Sequence, residues 1–422
     1  MPLADPQNER ERGRFIKQAF LQYYRKYKER VSLPPDFQSR EFAFLAFGER
    51  FMTRHRAVRT RDELFSMIDA LAPSDIYYST AYYSKPKEEM ERKGWLGSDL
   101  VFDVDADHIE TSCKAVHDMW TCTSCSLTGH GKAPPQCPNC DKTKFEERTW
   151  FCEECLNAAK KEVDKLVDFL TRDFGMPEEE MHVFFSGHRG YHLHIRSEEA
   201  RKLDESQRTE LIDYVRALGL DLNRLGLYSK GRRDTITGPQ RNDPGWRGRI
   251  AREIYNLVSQ ATEKDLLELG LGPRKARKII SELPLLIRQD WKEEILWGEF
   301  EDWFGIRDVH WQRMIEMAVR RAAMESFTDT VVTTDIHRLI RLPETLNGKT
   351  GLRATAVPDL DKFDPFRDPI AFEGEETVRV TEAPAFRMGE DIFGPYSNQD
   401  VTLPTAAAML LLCKGVGGPA RK

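Results

Sequence analysis

Seven of the eight cysteines lie between Cys113 and Cys155, and only Cys413 falls elsewhere in the 422 residues. No other feature constrains the fold as strongly, because thiols in a stretch as hydrophilic as KAPPQCPNCDKTK have no core to fill. Cys122 and Cys125 form one CxxC pair and Cys137 and Cys140 a second, with eleven residues between them that include Gly129, Gly131, Pro134 and Pro135. Two such turns, each offering two thiolates at the ~2.3 Å distance zinc requires, close on themselves as a zinc ribbon. Cys113, Cys152 and Cys155 remain. His117 is best placed to join them, since Cys113-x3-His117 brings both side chains onto one helical turn, with His108 and His130 as fallback ligands. Both sites are expected to be structural, because four protein ligands leave no position for an activated water.

The chain carries 63 Lys and Arg against 69 Asp and Glu, a net charge of −6, so any contact with nucleic acid must be local. With 40% hydrophobic and 31% charged residues it has enough apolar material for several domains. No apolar run approaches the ~20 residues of a membrane span. The start, MPLADPQNERERGRFIK, lacks the apolar stretch of a signal peptide, which predicts a cytoplasmic, disulfide-free chain with no membrane contact.

Just before the cysteines, Leu100-Val101-Phe102-Asp103-Val104-Asp105 reads as a strand on which Asp103 and Asp105 share one face while Phe102 and Val104 enter a core. Adjacent like charges are destabilising, and a divalent cation such as Mg²⁺ or Mn²⁺ is the usual remedy. An amphipathic helix over 154–174 follows the cysteines and stops at Gly175. A strand from Met181 to Phe185 then leads into the turn Ser186-Gly187-His188-Arg189-Gly190 and out through Tyr191 to Arg196. His192, His194 and Arg196 share one face there, and His188 and Arg189 crown the turn. Basic groups beside exposed turn amides make a triphosphate cradle, whereas His194 and Arg196 alone read better as a satisfied polar sheet face. Far downstream, Asp335 opens an apolar-periodic segment that Pro343 stops. It is either a helix N-cap or a third metal ligand, with Arg341 and Lys349 as phosphate contacts. The GKTG sequence at Gly348 is not a Walker A loop, since the earlier glycine is missing.

Taken in order, Arg40-Glu41-Phe42, FDVD (Phe102 to Asp105), SGHRGYH (Ser186 to His192), TTDIHRLIR (Thr333 to Arg341) and FDPF (Phe363 to Phe366) resemble the small catalytic subunit of the archaeo-eukaryotic primases over most of the chain. The resemblance implies an α/β (α+β) fold, a primase catalytic core with a modified RRM-like sheet over 1–200 and 321–400. It also implies a zinc knuckle over 108–156 ligated by Cys113, His117, Cys152 and Cys155, and a helical insertion over 201–320. The 122–140 ribbon inside the knuckle is a departure from familiar members, as are His188 in place of the usual arginine and Asn347 in place of a nucleotide-binding histidine. A C-terminal helix and frayed tail occupy 401–422.

The implied activity is synthesis of short RNA primers on single-stranded DNA. Asp103, Asp105 and Asp335 would hold two Mg²⁺ or Mn²⁺ ions. Ser186, His188, Arg189, His192, Arg341 and Lys349 would grip the nucleoside triphosphate, joined by Arg40, which can equally be a buried ion pair with a core acid. Implied partners are the template, the nucleotides and a primase large subunit, and the implied location is the nucleoid. Rival readings are a stand-alone primase-polymerase or repair polymerase, a haloacid-dehalogenase-like phosphatase, and a non-catalytic zinc-ribbon binder of nucleic acid. Leu269 to Ala276 resembles a helix-hairpin-helix turn, although a plain Gly-Pro connection is the better reading. The aromatics among Arg14 to Arg30 are read as packing residues first and as a template surface second.

Overall fold

Alternation of apolar and acidic side chains makes Leu100–Asp105 a strand, β1, with Phe102 and Val104 fully buried and Asp103 and Asp105 half-buried. Three more strands join it: β2 (Met181–Phe185), β3 (Gly190–Ile195) and β4 (Thr355–Val357). Their order is β4-β2-β3-β1, and every neighbouring pair is antiparallel. β1 and β2 therefore run parallel with β3 between them, and the chain crosses from one to the other through the helix Glu153–Arg172. That is a split β-α-β unit, the core of the expected RRM-like sheet. The helix buries Leu156, Ala159, Val163, Leu166 and Leu170 at the anticipated spacing, and Gly175 follows it with φ +68°.

The computed structural model describes residues 6–225, 238–286, 295, 308–324 and 331–420. The chain divides into two units, one of Met1–Val163, Glu179–Thr209 and Thr328–Lys422, the other of Asp164–Glu178 and Glu210–Phe327.

A second four-stranded sheet in the first unit orders Leu339–Arg341, Pro73–Ser79, Phe42–Ala46 and Thr53–Arg56. Leu339–Arg341 is thus a strand, not the helix that an N-cap at Asp335 would begin. A helical turn, Val331–Thr334, ends just before Asp335, whose carboxylate accepts the His337 N–H at 2.8 Å. Pairing of Ile340 with Tyr78 outweighs the local apolar periodicity. At the N-terminus, the helix Pro6–Lys26 buries Phe20, Tyr23 and Tyr24, so these aromatics do pack inward. The C-terminal expectation needs correction. Gly417–Pro419 is not a frayed tail but a strand paired with Glu375–Ala383, beside the buried helix Thr405–Cys413. The glycines that suggested fraying permit close packing: a Cβ at Gly417 would lie 3.3 Å from Leu411 Cβ.

Helices dominate the described residues of the second unit, among them Gly245–Gln260, Glu263–Glu268, Pro273–Leu286 and Asp308–Ala322. Arg249 anchors this unit, donating to Asp168 and Asp173 at 2.7 Å each. Between Glu268 and Pro273, Leu269 and Leu271 are buried and Gly270 takes φ +87°, which makes this turn a packed inter-helix connection. Parts of the anticipated 201–320 insertion, at 226–237, 287–294 and 296–307, lie outside the described residues. Among the described residues no helix is long and apolar enough to cross a membrane.

Candidate active site

The register of β1 against β3 sets His192 opposite Asp103 and Gly190 opposite Asp105. His192 Nε2 lies 3.6 Å from Asp103 Oδ1. Only glycine lets the strands close at position 190, because a Cβ there would stand 2.4 Å from the Val104 carbonyl oxygen. Burial first, then the charges of Asp107 and Asp103, push the Asp105 carboxyl up to about 6. Asp335 is delivered by the turn Val331–Thr334, which packs against β1. The three carboxylates do not converge as tightly as the cysteines: among the described residues, the groups gathered within 4.8 Å are the two cysteine-containing tetrads. Hard oxygen donors crowded on a rigid strand fit a divalent cation such as Mg²⁺ or Mn²⁺.

The basic turn is clasped by the loop Asn347–Gly351. Asn347 Nδ2 donates to the Ser186 carbonyl at 3.1 Å, its Oδ1 accepts the Lys349 N–H at 2.9 Å, and Thr350 Oγ1 donates to the Gly187 carbonyl. Gly187 holds φ +77° with Asn347 Cβ 3.0 Å from where its own Cβ would be, so this corner also needs glycine. Ser186 Oγ accepts the N–H groups of His188 and Gly190, both at 3.3 Å, and so shapes the turn from inside. Burial, then neighbouring cations, hold His188 well below its ordinary range and bring His192 down to about 3, so both rings are neutral. Lys349 is exposed, and its ammonium has no partner among the described residues.

Three predicted phosphate-binding arginines are committed elsewhere. Arg40 forms the buried ion pair with a core acid: it is 0% exposed, donates to Asp99 at 2.7 Å and to the carbonyls of Pro35, Ser79 and Thr80, and lies 3.9 Å over the Tyr82 ring. Because it would strand the Asp99 carboxylate, Arg40→Met is expected to lower unfolding stability by about 3–5 kcal/mol, read by denaturant melts. Arg189 is equally enclosed, with Nη1 2.9 Å from Asp107 and 3.1 Å from Asp118. Arg341 pairs with Asp75, which also accepts the Gly348 N–H at 3.0 Å. A backbone turn rich in N–H groups and a basic sequence show where cations gather, but only the folded chain shows which acids have already claimed them.

The counted metal ligands do come together. Cys113, His117, Cys152 and Cys155 form one tetrad and Cys122, Cys125, Cys137 and Cys140 the other, with the ligand atoms of each within 4.8 Å of one another. Sulfur pairs at 3.3 Å (Cys113 with Cys155), 3.6 Å (Cys122 with Cys140) and 3.5 Å (Cys125 with Cys137) suit a tetrahedral zinc ion at the centre of each. The ribbon knuckles repeat one geometry: Cys122 and Cys137 each accept a backbone N–H four residues on, from Ser126 and Asp141, and both those residues take positive φ. His117 turns Nε2 towards Cys155 Sγ (3.4 Å), which leaves its Nδ1 proton for Asp118 Oδ1 at 2.8 Å.

A sequence profile described as DNA primase small subunit matches residues 137–358, and a protein of Cenarchaeum symbiosum named DNA primase small subunit PriS is 32% identical over 96% of this chain and 98% of its own. The chain belongs to the DNA primase small-subunit family. Proteins of the same name from Nitrosopumilus maritimus and Methanothrix thermoacetophila are 30% and 31% identical, each over 95% of this chain and 97% of theirs. As a member of the primase small-subunit family, the chain is a nucleotidyltransferase that makes RNA primers in DNA replication.

Several groups around these side chains escape sequence reasoning. Asp75, Asp99, Asp107 and Asp118 are the acids that fix the arginines, and Lys414 reaches the basic turn from the far end of the chain. Asp118 alone had a signal, its place directly after the ligand His117.

Proposed function

We propose that β1, the turn Ser186–Gly190 and the loop Asn347–Gly351 form a two-metal nucleotidyl-transfer centre that extends short RNA primers on single-stranded DNA. The observation that carries this reading is the β1–β3 register, which seats the carboxylates of Asp103 and Asp105 against a basic, neutral-histidine turn. Asp103, Asp105 and Asp335 would hold two Mg²⁺ or Mn²⁺ ions, whose bound chemistry is to activate a 3′-hydroxyl and to stabilise pyrophosphate as it leaves. His192, next to Asp103, would donate to the innermost phosphate, and His188 and Lys349 to the outer ones. Ser186 and Asn347 keep the turn in register, while Arg189 and Arg341 add positive field from their ion pairs. The two zinc tetrads are structural. A primase large subunit is the proposed protein partner, and the cytoplasmic nucleoid the proposed location.

The test is to incubate the purified chain with single-stranded template, labelled nucleoside triphosphates and Mg²⁺ or Mn²⁺, with and without a large subunit. Template-dependent oligonucleotides with stoichiometric pyrophosphate are expected. Release of inorganic phosphate without pyrophosphate would favour the phosphatase reading and overturn this one.

A further inference from the structure

Lys414 follows the buried helix Thr405–Cys413 and turns its ammonium towards the basic turn, 2.8 Å from His188 Nε2 and 2.7 Å from the Thr149 carbonyl. As an ammonium Lys414 only donates, and the His188 Nε2 then accepts, with the proton of that neutral ring on Nδ1. Two of the three ammonium protons are thereby placed, and the third has no acceptor among the described residues. Its surroundings are mostly positive. Burial, then Arg189 and Lys349, push Lys414 down to about 7, and Asp107, the facing acid, is already paired with Arg189. Arg189 Nε likewise lacks a hydrogen-bond partner among the described residues. Cations crowded beside neutral imidazoles with donors to spare are disfavoured in isolation and suited to a polyanion. Position says which part of the polyanion. His192 faces Asp103, Gly190 faces Asp105, and the turn bearing His188 extends past the end of β1, so Lys414 lies beyond the carboxylates, where the outer phosphates of a nucleotide held by them would be.

We propose that Lys414 is a nucleotide-binding residue, its ammonium holding the outer phosphates of the incoming nucleoside triphosphate together with His188 and Lys349, an assignment that rests on the nucleotidyl-transfer reading of the site. The lysine would then select triphosphates over monophosphates.

The experiment compares binding of Mg-ATP and of AMP to the full chain and to Lys414→Gln, which retains a donor for the Thr149 carbonyl, and to Lys414→Arg, which retains the charge. Loss of one charge-assisted hydrogen bond is expected to weaken ATP binding by about tenfold or more in Lys414→Gln, leave AMP binding unchanged, and spare Lys414→Arg. The KM for nucleotide should rise in parallel while kcat changes little, and His188→Arg introduced into Lys414→Gln should recover most of the lost affinity. Equal weakening for ATP and AMP, or none for ATP, overturns the proposal. A footprint on the unmodified protein keeps the question open to refutation if the variants misfold: amine acetylation of Lys414, mapped by mass spectrometry, should be suppressed by Mg-ATP and not by AMP, and equal labelling in both refutes it. If the unmodified chain itself fails to prefer ATP to AMP, the nucleotidyl-transfer reading falls with it. If the chain prefers ATP and Lys414→Gln does so to the same degree, the role of Lys414 alone falls.

Discussion

Asp103→Asn and Asp105→Asn, made singly, are expected to lower primer synthesis by about 10³-fold or more, since each removes one of the few carboxylates able to hold the ions that stabilise charge in nucleotidyl transfer, a contribution of several kcal/mol. Neither change should weaken the fold. Phe102 and Val104 on the other face of β1 do the packing, while Asp103 and Asp105 face each other's charge with Asp107 close by. Neutralising one of them relieves repulsion, so melting without added divalent metal should occur at the same temperature or slightly above it. Activity and stability moving in opposite directions would mark β1 as a strand whose acids are kept for chemistry, in contrast to Arg40→Met, where stability itself is lost. If both asparagine variants made primers at the rate of the unmodified chain, with metal impurities excluded, the two-metal assignment would be wrong.

How much of this was legible in the residues depends on whether the signal was local. Asp103 and Asp105 could be read because period-2 alternation fixes which side chains share a face, and the tetrads could be counted because CxxC turns carry their own geometry. The strand Leu339–Arg341 was not legible as such, since its three residues pair with Pro73–Ser79, more than 250 residues away in sequence. The acid partners of the arginines were hidden for a similar reason. Arg189 and Arg341 sit in the motifs expected to hold phosphate, but whether a guanidinium is free depends on acids such as Asp118 and Asp75, brought in by distant segments. Lys414 had no sequence signal at all: it follows an apolar helix within a Gly-rich end, and only the pairing of Gly417–Pro419 with Glu375–Ala383 fixes that end beside the site.

Zinc loss from the two tetrads is expected to have very different consequences, although the unmodified chain should carry about two zinc ions. From the Cys113 tetrad a continuous path of hydrogen bonds leads to the carboxylates. His117 Nδ1 donates to Asp118 at 2.8 Å, Asp118 also accepts the Trp150 N–H at 3.0 Å and pairs with Arg189, and Arg189 holds Asp107, whose backbone N–H caps Asp105 Oδ1 at 2.8 Å. Each link restricts the next: the ion orients the imidazole, the imidazole positions the carboxylate, and the carboxylate keeps a fully enclosed guanidinium from being stranded. Removing the metal by Cys155→Ser should therefore cost primer synthesis severely, and Asp118→Asn, which spares all four ligands, should still cost about 10–100-fold in metal affinity or activity. From the ribbon the contact is to main chain, the Gly131 N–H donating to the Asp118 carbonyl at 2.8 Å, and not to the Asp118 carboxylate that pairs with Arg189. The ribbon's strands Met119–Cys122, Thr128–His130 and Phe145–Arg148 pair with one another, and Trp120 packs on Phe145 and Gly129. Cys137→Ser is accordingly expected to halve the zinc content while leaving primer synthesis on a simple template close to that of the unmodified chain. Zinc analysis and primer assays on the three variants decide the matter, and an Asp118→Asn protein with full zinc and full activity would show that the knuckle holds its own fold and nothing beyond it.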